Sequence, residues 1–153
     1  MADSSETFYQ SHWIDVEPER RARYEAMFQW RDSTEPLIAP AEVAPGQTVV
    51  DYGCGPGGLA IELARRVGTD GKAIGVDLNE GFLETTRARA EEAGVAAQLE
   101  TRLTDGYAIP LDNDQADRVI SKNVLEYVPD PAKALAEFHR VVKPGGIAHV
   151  IDS

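Results

Sequence analysis

A glycine-rich run in the first half of the chain constrains the fold more than any other feature. Val49 and Val50, both β-branched, lead into Asp51, and four glycines then fall within positions 53–58. An apolar run that ends in glycines is typical of a strand that turns sharply into a helix. Glycine permits backbone conformations that other residues avoid, and its missing Cβ lets a ligand approach the chain. Because the amides that begin the next helix carry partial positive charge, the run predicts a nucleotide-type cofactor loop.

Predicted strands and helices alternate along the rest of the chain. Strands are expected at 48–52, 73–77, 97–103, 116–121 and 147–152, and helices at 58–67, 80–93 and 131–142. Asn79 and Asp130 are the predicted N-caps of the second and third of these helices, and Gly94 is predicted to close the second. This alternation is typical of a doubly wound α/β fold with a mostly parallel sheet and right-handed crossovers.

The glycine loop by itself fits more than one cofactor. Gly53, Gly55 and Gly58 satisfy the dinucleotide fingerprint, whereas Gly53, Gly55 and Gly57 form a Gly-x-Gly-x-Gly pattern. Asp51 would repel a pyrophosphate but attract a ligand that carries an ammonium and a sulfonium group. This favours S-adenosylmethionine over NAD. Two alternatives stay open: Asp51 can instead bind the start of the helix, and the loop can be a structural turn without a ligand.

Further motifs follow in order, and together with the loop they make residues 43–153 resemble a class I, Rossmann-like S-adenosylmethionine-dependent methyltransferase. The resemblance is to the broad type that includes ubiquinone and menaquinone biosynthesis enzymes. The segments that carry it are Asp51-Tyr-Gly-Cys-Gly-Pro-Gly57, Gly75-Val-Asp-Leu-Asn79, Thr104-Asp-Gly106, Asp117-Arg-Val-Ile-Ser-Lys-Asn-Val-Leu-Glu-Tyr127 and Arg140-Val-Val-Lys-Pro-Gly-Gly146. It implies a sheet ordered 3-2-1-4-5 that binds its ligand at the switch point between strands 1 and 4. The last two strands of the family fold would be absent.

The resemblance implies cofactor-binding residues at the ends of several strands. They are Asp51, Gly53, Cys54, Gly55, Gly57, Asp77, Leu78, Asp105, Gly106 and Ser121. Asp77 would accept hydrogen bonds from the ribose hydroxyls, and Leu78 would pack on the adenine. Asp105 and the Gly106 amide would bind the adenine edge, and backbone carbonyls around Ser121 would hold the methionine end.

Each of these roles has a structural alternative. Asp77 could form a turn, and Asp105-Gly106 is also an ordinary turn pair. Cys54 is interpreted as a small packing residue rather than a nucleophile. Tyr127 stands where relatives of this type often carry His, and it either contacts the substrate or packs on a short helix. The sequence identifies no catalytic residue.

Residues 1–42 are predicted to form an N-terminal arm and a helix that starts at Pro18, ahead of the cofactor domain at 43–153. Tyr24, Phe28 and Trp30 make this helix a candidate lid over the site. The alternative is an amphipathic helix that simply covers the sheet. The three histidines, His12, His139 and His149, lack a ligand-like spacing, so no metal is expected. Only His12, in the arm, is expected near the substrate.

The amino-acid composition limits the kinds of partner that this protein is expected to bind. The net charge of −11 argues against nucleic acid, whose phosphates bind clustered Lys and Arg. No run approaches the ~18–20 apolar residues of a membrane span, and the single cysteine excludes an internal disulfide. A cytoplasmic protein without membrane contact is expected. The last predicted strand, Ile147–Asp152, would leave an open edge where only His149 and Asp152 oppose pairing, so self-association is expected there.

The expected function is methyl transfer from S-adenosylmethionine to a small-molecule acceptor. The chain ends at Ser153, soon after the fifth strand, whereas relatives continue. A cofactor-binding domain without independent catalysis is therefore the first alternative, and an NAD-dependent oxidoreductase is a weaker one. The acceptor and the methylated atom do not follow from the sequence.

Overall fold

The computed structural model describes Phe8 and residues 11–153. In this part of the chain five parallel strands form one sheet with the order β3-β2-β1-β4-β5. The strands are β1 (Thr48–Tyr52), β2 (Lys72–Asp77), β3 (Leu99–Leu103), β4 (Ala116–Lys122) and β5 (Val142–Ile151). The predicted α/β class and strand order are confirmed.

The helices are α1 (Pro18–Met27), α2 (Glu35–Ile38), α3 (Gly58–Val67), α4 (Glu80–Glu92) and α5 (Pro131–Val141), and residues 11–14 are also helical. The predicted caps are confirmed, because Asn79 Oδ1 accepts from the Phe82 amide at 3.0 Å and Asp130 from the Lys133 amide at 3.4 Å. Among residues 11–153, none of the helices combines the length and apolar character needed to cross a membrane.

The central strands β1, β2 and β4 are mostly buried, as their apolar residues require. Helices α3 and α4 pack on one face, where Val49 and Ile120 join the cluster that includes Leu63 and Leu83. Helix α5 packs on the other face, where Phe138 lies among strand residues of a second cluster. Because alternate strand residues point to opposite faces, the strand ends present side chains to both layers.

Two strands start at positions that differ from the sequence prediction by two residues or more, whereas the other strand boundaries agree within one residue. Strand β5 starts at Val142 rather than Ile147, since Val142 pairs with Ala116 and the pairing resumes at Ile147 opposite Arg118. The intervening segment 143–146, with Gly145 at φ +81°, is accommodated as a register irregularity within the strand. Strand β3 starts at Leu99 because residues 96–98 form a 3-10 turn.

The described N-terminal residues 11–31, here called the cover, lie against α4 and the start of α3. Helix α1 has no buried residue, so hydrogen bonds supply much of its attachment. Thr85 Oγ1 donates to Glu25 at 2.7 Å, and the Arg89 guanidinium donates to the Glu25 carbonyl at 2.8 Å. A Cβ on Gly58 would collide with the Phe28 carbonyl, so the absence of a side chain there lets the cover approach α3.

Candidate cofactor site

A cavity of about 370 Å³ lies at the carboxyl ends of β1, β2 and β4. This is the point where the strand order reverses, and ligands of such sheets bind there. Its walls bring together seven of the ten predicted cofactor residues, namely Asp51, Gly53, Cys54, Gly55, Asp77, Leu78 and Gly106. The volume falls in the range of small-molecule sites.

The loop glycines serve two different purposes. Gly53, Gly55 and Gly57 have φ values of +73°, +52° and +94°, which favour glycine. A Cβ on Gly53 would collide with Val124, and one on Gly57 would lie 2.6 Å from the Thr86 hydroxyl. A Cβ on Gly55 would meet no atom within 4 Å. Gly53 and Gly57 therefore allow close packing, whereas Gly55 opens directly onto the cavity.

Asp51 is a buried carboxylate with an unsatisfied oxygen. It is 2% exposed, and its Oδ2 atom has no hydrogen-bond partner among the described residues. Burial and the charge of Asp77 raise the pKa of Asp51 to about 7, against the opposing effects of Lys122 and the Ala60 amide. An unpaired buried carboxylate oxygen is costly, so a cationic group in the cavity would stabilise it. The hydrogen bond from the Ala60 amide in α3 agrees with the alternative role of Asp51 at the helix start, and its role towards a ligand stays a prediction.

Asp77 ties the glycine loop to the end of β2. Its Oδ2 atom accepts from the Gly55 amide at 2.8 Å, and its Oδ1 atom accepts from the Asn79 amide at 2.9 Å. Burial raises the pKa of the Asp77 carboxyl, and the amides of Asn79, Gly55 and Leu78 partly offset this. Because each carboxylate oxygen has two lone pairs, this structural role leaves capacity for ligand hydroxyls.

Cys54 is part of the glycine loop, and its side chain packs against β2. It is 7% exposed, and its Sγ atom would lie 2.9 Å from a Cβ on Gly75 of β2. Burial, followed by the charges of Asp77 and Asp51, raises the pKa of the Cys54 thiol well above its usual value. A thiol that stays protonated is a poor nucleophile, which agrees with the interpretation of Cys54 as a packing residue.

Gly57, Asp105 and Ser121 are predicted site residues that do not line the cavity. Asp105 is exposed, although Thr104 and Gly106 on either side of it are in the wall. Ser121 is fully buried, and its register partner in β1 is Tyr52 rather than Asp51. Successive strand residues point to opposite faces, so the Ser121 side chain lies across the sheet from Asp51. Cofactor roles for these residues stay predictions.

The wall also contains residues that sequence reasoning did not assign to the cofactor. They include Trp13, Met27, Gln29, Arg31, Ser33, Thr34, Leu59, Phe82 and Thr104. Most belong to the cover or follow it directly. In the sequence, only the aromatic residues of the arm indicate that this segment contributes to the wall. Asn123, beyond β4, takes φ +55° and donates its amide to the Ile151 carbonyl at 2.7 Å. This left-handed residue turns the chain into the cavity wall.

The cover is hydrogen-bonded to Asn79, which lies two residues beyond the end of β2. Asn79 Nδ2 donates to the carbonyls of Trp13 at 3.0 Å and Ile14 at 3.1 Å. The same residue caps α4 and binds Asp77 through its own amide. Asn79 therefore connects the cover, at residues that precede the predicted lid helix, to the predicted ribose carboxylate. Of the three predicted lid residues, Phe28 and Trp30 line the cavity, whereas Tyr24 does not.

An open parallel sheet with a glycine loop and a buried, unpaired acid at its switch point defines a Rossmann-like protein with a site for a cationic nucleotide-type cofactor. A family model described as a methyltransferase domain matches residues 49–146, more than half of the chain. The chain belongs to this family, the S-adenosylmethionine-dependent methyltransferases of class I. The family and cofactor expected from the sequence are thereby confirmed.

Two relatives illustrate the match. An uncharacterized 37.1 kDa protein in transposon TN4556 of Streptomyces fradiae is 38% identical over 110 residues, which cover 72% of this chain and 31% of that protein. A 2-phytyl-1,4-naphtoquinone methyltransferase of Nostoc punctiforme is 37% identical over 107 residues, which cover 70% of this chain and 46% of that enzyme. The chain thus spans less than half the length of these relatives.

A solved structure supports the fold independently. A SAM-dependent methyltransferase from Aquifex aeolicus superposes with a TM-score of 0.70 at 23% identity. The superposition covers 84% of this chain and 69% of that protein. At this identity the likeness establishes the Rossmann-like fold and nothing about the acceptor.

Proposed function

We propose that this chain binds S-adenosylmethionine in the switch-point cavity and transfers its methyl group to a small-molecule acceptor. The observation that carries the proposal is the unpaired Oδ2 atom of Asp51, a buried residue that lines the same cavity as Gly55. A ligand with an ammonium group would offset the charge of this carboxylate, directly or through water, whereas a pyrophosphate would be repelled. The Nostoc punctiforme relative, named for a naphthoquinone acceptor, supports a small organic acceptor.

The residues present fit this cofactor. Asp51 would bind the ammonium group, and Gly55 would allow the ligand to approach the loop backbone. Asp77 would accept hydrogen bonds from the ribose hydroxyls, as charge-assisted bonds of this kind are strong. Leu78 and Gly106 would contact the adenine. Each of these residues except Asp51 is at least partly exposed to the cavity, so a ligand reaches them without unfolding the sheet.

When bound, the cofactor supplies an activated methyl group and its own leaving group, so the protein has no covalent step to perform. The chain's residues then orient the two ligands and exclude water. Trp13 and Phe28 of the cover and Tyr127 beyond β4 form the apolar side of the cavity for this purpose. No described residue is assigned as a general base.

Calorimetric titration with S-adenosylhomocysteine and with NAD tests the cofactor half of the proposal. We expect S-adenosylhomocysteine to bind and NAD to give no heat of binding. Binding of NAD alone would replace the proposal with the oxidoreductase alternative. Transfer of label from methyl-labelled S-adenosylmethionine to a small acceptor tests the second half.

A cofactor-binding module without independent catalysis is the second candidate. It is favoured by the observation that the chain spans only 31% and 46% of the two relatives. Tight binding of S-adenosylhomocysteine together with no labelled product across a panel of acceptors would support this candidate. We also propose a cytoplasmic location and no nucleic-acid partner, which the single cysteine and the net charge of −11 support. Cell fractionation and a nucleic-acid gel shift test these two points.

A further inference from the structure

We propose that a second cavity, which adjoins the first, holds the acceptor as a neutral flat ring bearing an oxygen atom, and that His12 donates a hydrogen bond to that oxygen. The inference rests on the proposed function, because it gives the acceptor of that reaction a location and a chemical class. It concerns side chains of the cover and of the segment after β4, none of which belongs to the glycine loop.

The second cavity has a volume of about 310 Å³. Five residues line both cavities, namely Trp13, Met27, Phe28, Asn123 and Tyr127. The two cavities therefore meet at these five side chains, and a ligand in the second cavity would lie beside one in the first. Direct transfer of a group between two ligands requires this adjacency.

Aromatic rings form much of the wall. Trp13 meets Tyr127 edge-on with a centroid distance of 5.1 Å, and it lies 5.6 Å from the Tyr24 ring. The Tyr24 and Phe28 rings are 5.4 Å apart. Such walls favour a flat ring, which can stack or meet them edge-on.

The charges in the wall of the second cavity disfavour anionic ligands. The described residues that line this cavity include the carboxylate of Glu126 but no Lys or Arg. A ligand that carries a phosphate or carboxylate would find no cation in the wall and would face Glu126. A neutral acceptor fits the wall, whereas an anionic one is disfavoured.

His12 is held in one tautomer by Arg20. The guanidinium NH1 group lies 3.4 Å from His12 Nδ1, and its NH2 group donates to the carbonyls of His12 at 2.7 Å and Asp15 at 3.1 Å. Because Arg has donors only, Nδ1 must accept, and the ring proton sits on Nε2. Burial, followed by the Arg20 charge, lowers the pKa of His12 and thereby favours the neutral ring.

The remaining ring edge supplies the donor. His12 Nε2–H has no hydrogen-bond partner among the residues that the structure describes, and the ring lines the cavity. Since the Nδ1 lone pair is occupied by Arg20, His12 acts as a donor that binds and orients the acceptor rather than as a base. Tyr127 offers a second donor, its hydroxyl group. Burial, Glu126 and Tyr24 raise the pKa of this phenol, so it keeps its proton.

Ligand-observed NMR titrations of the chain saturated with S-adenosylhomocysteine test the inference. The probes are 1-naphthol, naphthalene as its oxygen-free counterpart and 1-naphthoate as its anionic counterpart. We expect 1-naphthol to bind more tightly than either of the other two. His12→Phe should weaken 1-naphthol binding about three- to tenfold, the effect of losing one hydrogen bond, and leave naphthalene unchanged.

Two variants control for structural effects. His12→Gln keeps an N–H donor and should retain a preference for 1-naphthol over naphthalene. His139→Phe makes the same substitution as the test variant on the exposed side of α5 and should change neither ligand.

The inference is overturned by any of three results. They are equal 1-naphthol affinity in His12→Phe and the wild type, 1-naphthoate binding as tight as that of 1-naphthol, and no binding of any probe to the saturated chain. Failure to bind S-adenosylhomocysteine is detected in the first titration, and it would overturn the proposed function itself.

Discussion

The two walls of the cofactor cavity are built in opposite ways. The loop wall consists of backbone held in left-handed conformations at Gly53 and Gly55, above Asp51, which is 2% exposed. The cover wall comes from a helix without a buried residue, and its Met27 and Phe28 side chains are 54% and 39% exposed. One wall belongs to the core of the domain, whereas the other is attached to its surface.

The comparison shows where each wall obtains its rigidity. Steric limits on the backbone and the burial of Asp51 hold the loop, so we expect it to move less than the cover. Hydrogen bonds from Asn79, Thr85 and Arg89 fix the cover, and each can be removed singly. Regions with few buried contacts open at a lower free energy than the core. Loop substitutions should therefore abolish cofactor binding, whereas substitutions at the cover should change its mobility.

The largest effect is expected for Gly55→Val. The new side chain would project into the open cavity and would sit at φ +52°, which costs about 1–2 kcal/mol for a residue with a Cβ. We expect calorimetry to show at least about a hundredfold loss of S-adenosylhomocysteine affinity, with the sheet still folded by circular dichroism. Gly46→Val is the matched control, because Gly46 also has open space and a positive φ but lies before β1. Binding by Gly55→Val at wild-type affinity would make the loop a structural turn.

Asp51→Asn should give the next largest effect. At pH 8 it removes a charged acceptor, which is worth about 1.5–3 kcal/mol of binding. Since the pKa of Asp51 is about 7, wild-type affinity for S-adenosylhomocysteine should rise about tenfold from pH 6 to pH 8, as the carboxyl loses its proton. The Asn variant should show a flat profile over this range. A wild-type profile without this rise would contradict the pairing of Asp51 with the ligand ammonium.

Asp51 also makes the free energy of unfolding depend on pH, and this free energy falls as the pH rises, whereas ligand affinity rises. Its folded pKa lies above its unfolded value of 3.8, so the folded state holds the proton more tightly. The stabilisation is present below about pH 4 and is lost as the pH rises through 7, by up to about 4 kcal/mol. Chemical unfolding at pH 5 and pH 8 should show about two thirds of this loss in the wild type, because the rest has already occurred by pH 5, and a smaller loss in Asp51→Asn.

Asp77→Asn tests the residue that contacts both the glycine loop, through the Gly55 amide, and Asn79, which holds the cover. It should weaken S-adenosylhomocysteine binding by about 1–3 kcal/mol, because the ribose hydroxyls lose a charged acceptor. Asp117→Asn is the control, since Asp117 also accepts a backbone amide, that of Thr48 at 2.8 Å, but at the start of β4. Calorimetry should show no change for the control. Unchanged affinity in a folded Asp77→Asn protein would remove Asp77 from the ribose site.

Asn79→Ala tests the cover wall alone. The loss of the N-cap should cost about 1 kcal/mol of unfolding free energy, and the loss of the bonds to Trp13 and Ile14 should release the cover. Hydrogen exchange across residues 11–27 should become faster in this variant. Asp130→Ala removes the N-cap of α5 without touching the cover, so it should lose similar stability with unchanged exchange there. Equal exchange in both variants would mean that Asn79 does not hold the cover.

The smallest effect is expected at β5, the edge strand of the sheet. Val150 is 38% exposed there, while His149 is engaged through Nε2, which donates to the Leu37 carbonyl at 2.7 Å. We expect weak self-association through this edge, which light scattering would detect at high concentration. Val150→Lys should reduce it, whereas Leu103→Lys at the opposite edge strand, β3, should not. A wild-type monomer at high concentration would contradict this prediction.

Sequence reasoning predicted the first strand and the loop-to-helix unit with the bounds that the structure shows, 48–52 and 58–67. It also predicted the caps at Asn79 and Asp130. These features depend on neighbours a few residues apart, where glycine conformation, apolar periodicity and capping act directly. The strand order followed from the family resemblance. The site was predicted only in part, since the wall contains seven of the ten expected residues.

The amino-acid sequence by itself therefore determined the local units and the acidic and glycine residues that serve the cofactor. Only the tertiary structure decided that Asn79 holds the carbonyl of Trp13, 66 positions earlier, and that His12 faces a second cavity with Tyr127. It also decided that Asp105 points to solvent and Ser121 to the far face of the sheet. Long-range contacts of this kind depend on how the cover packs and on strand register, which no local pattern in the chain encodes.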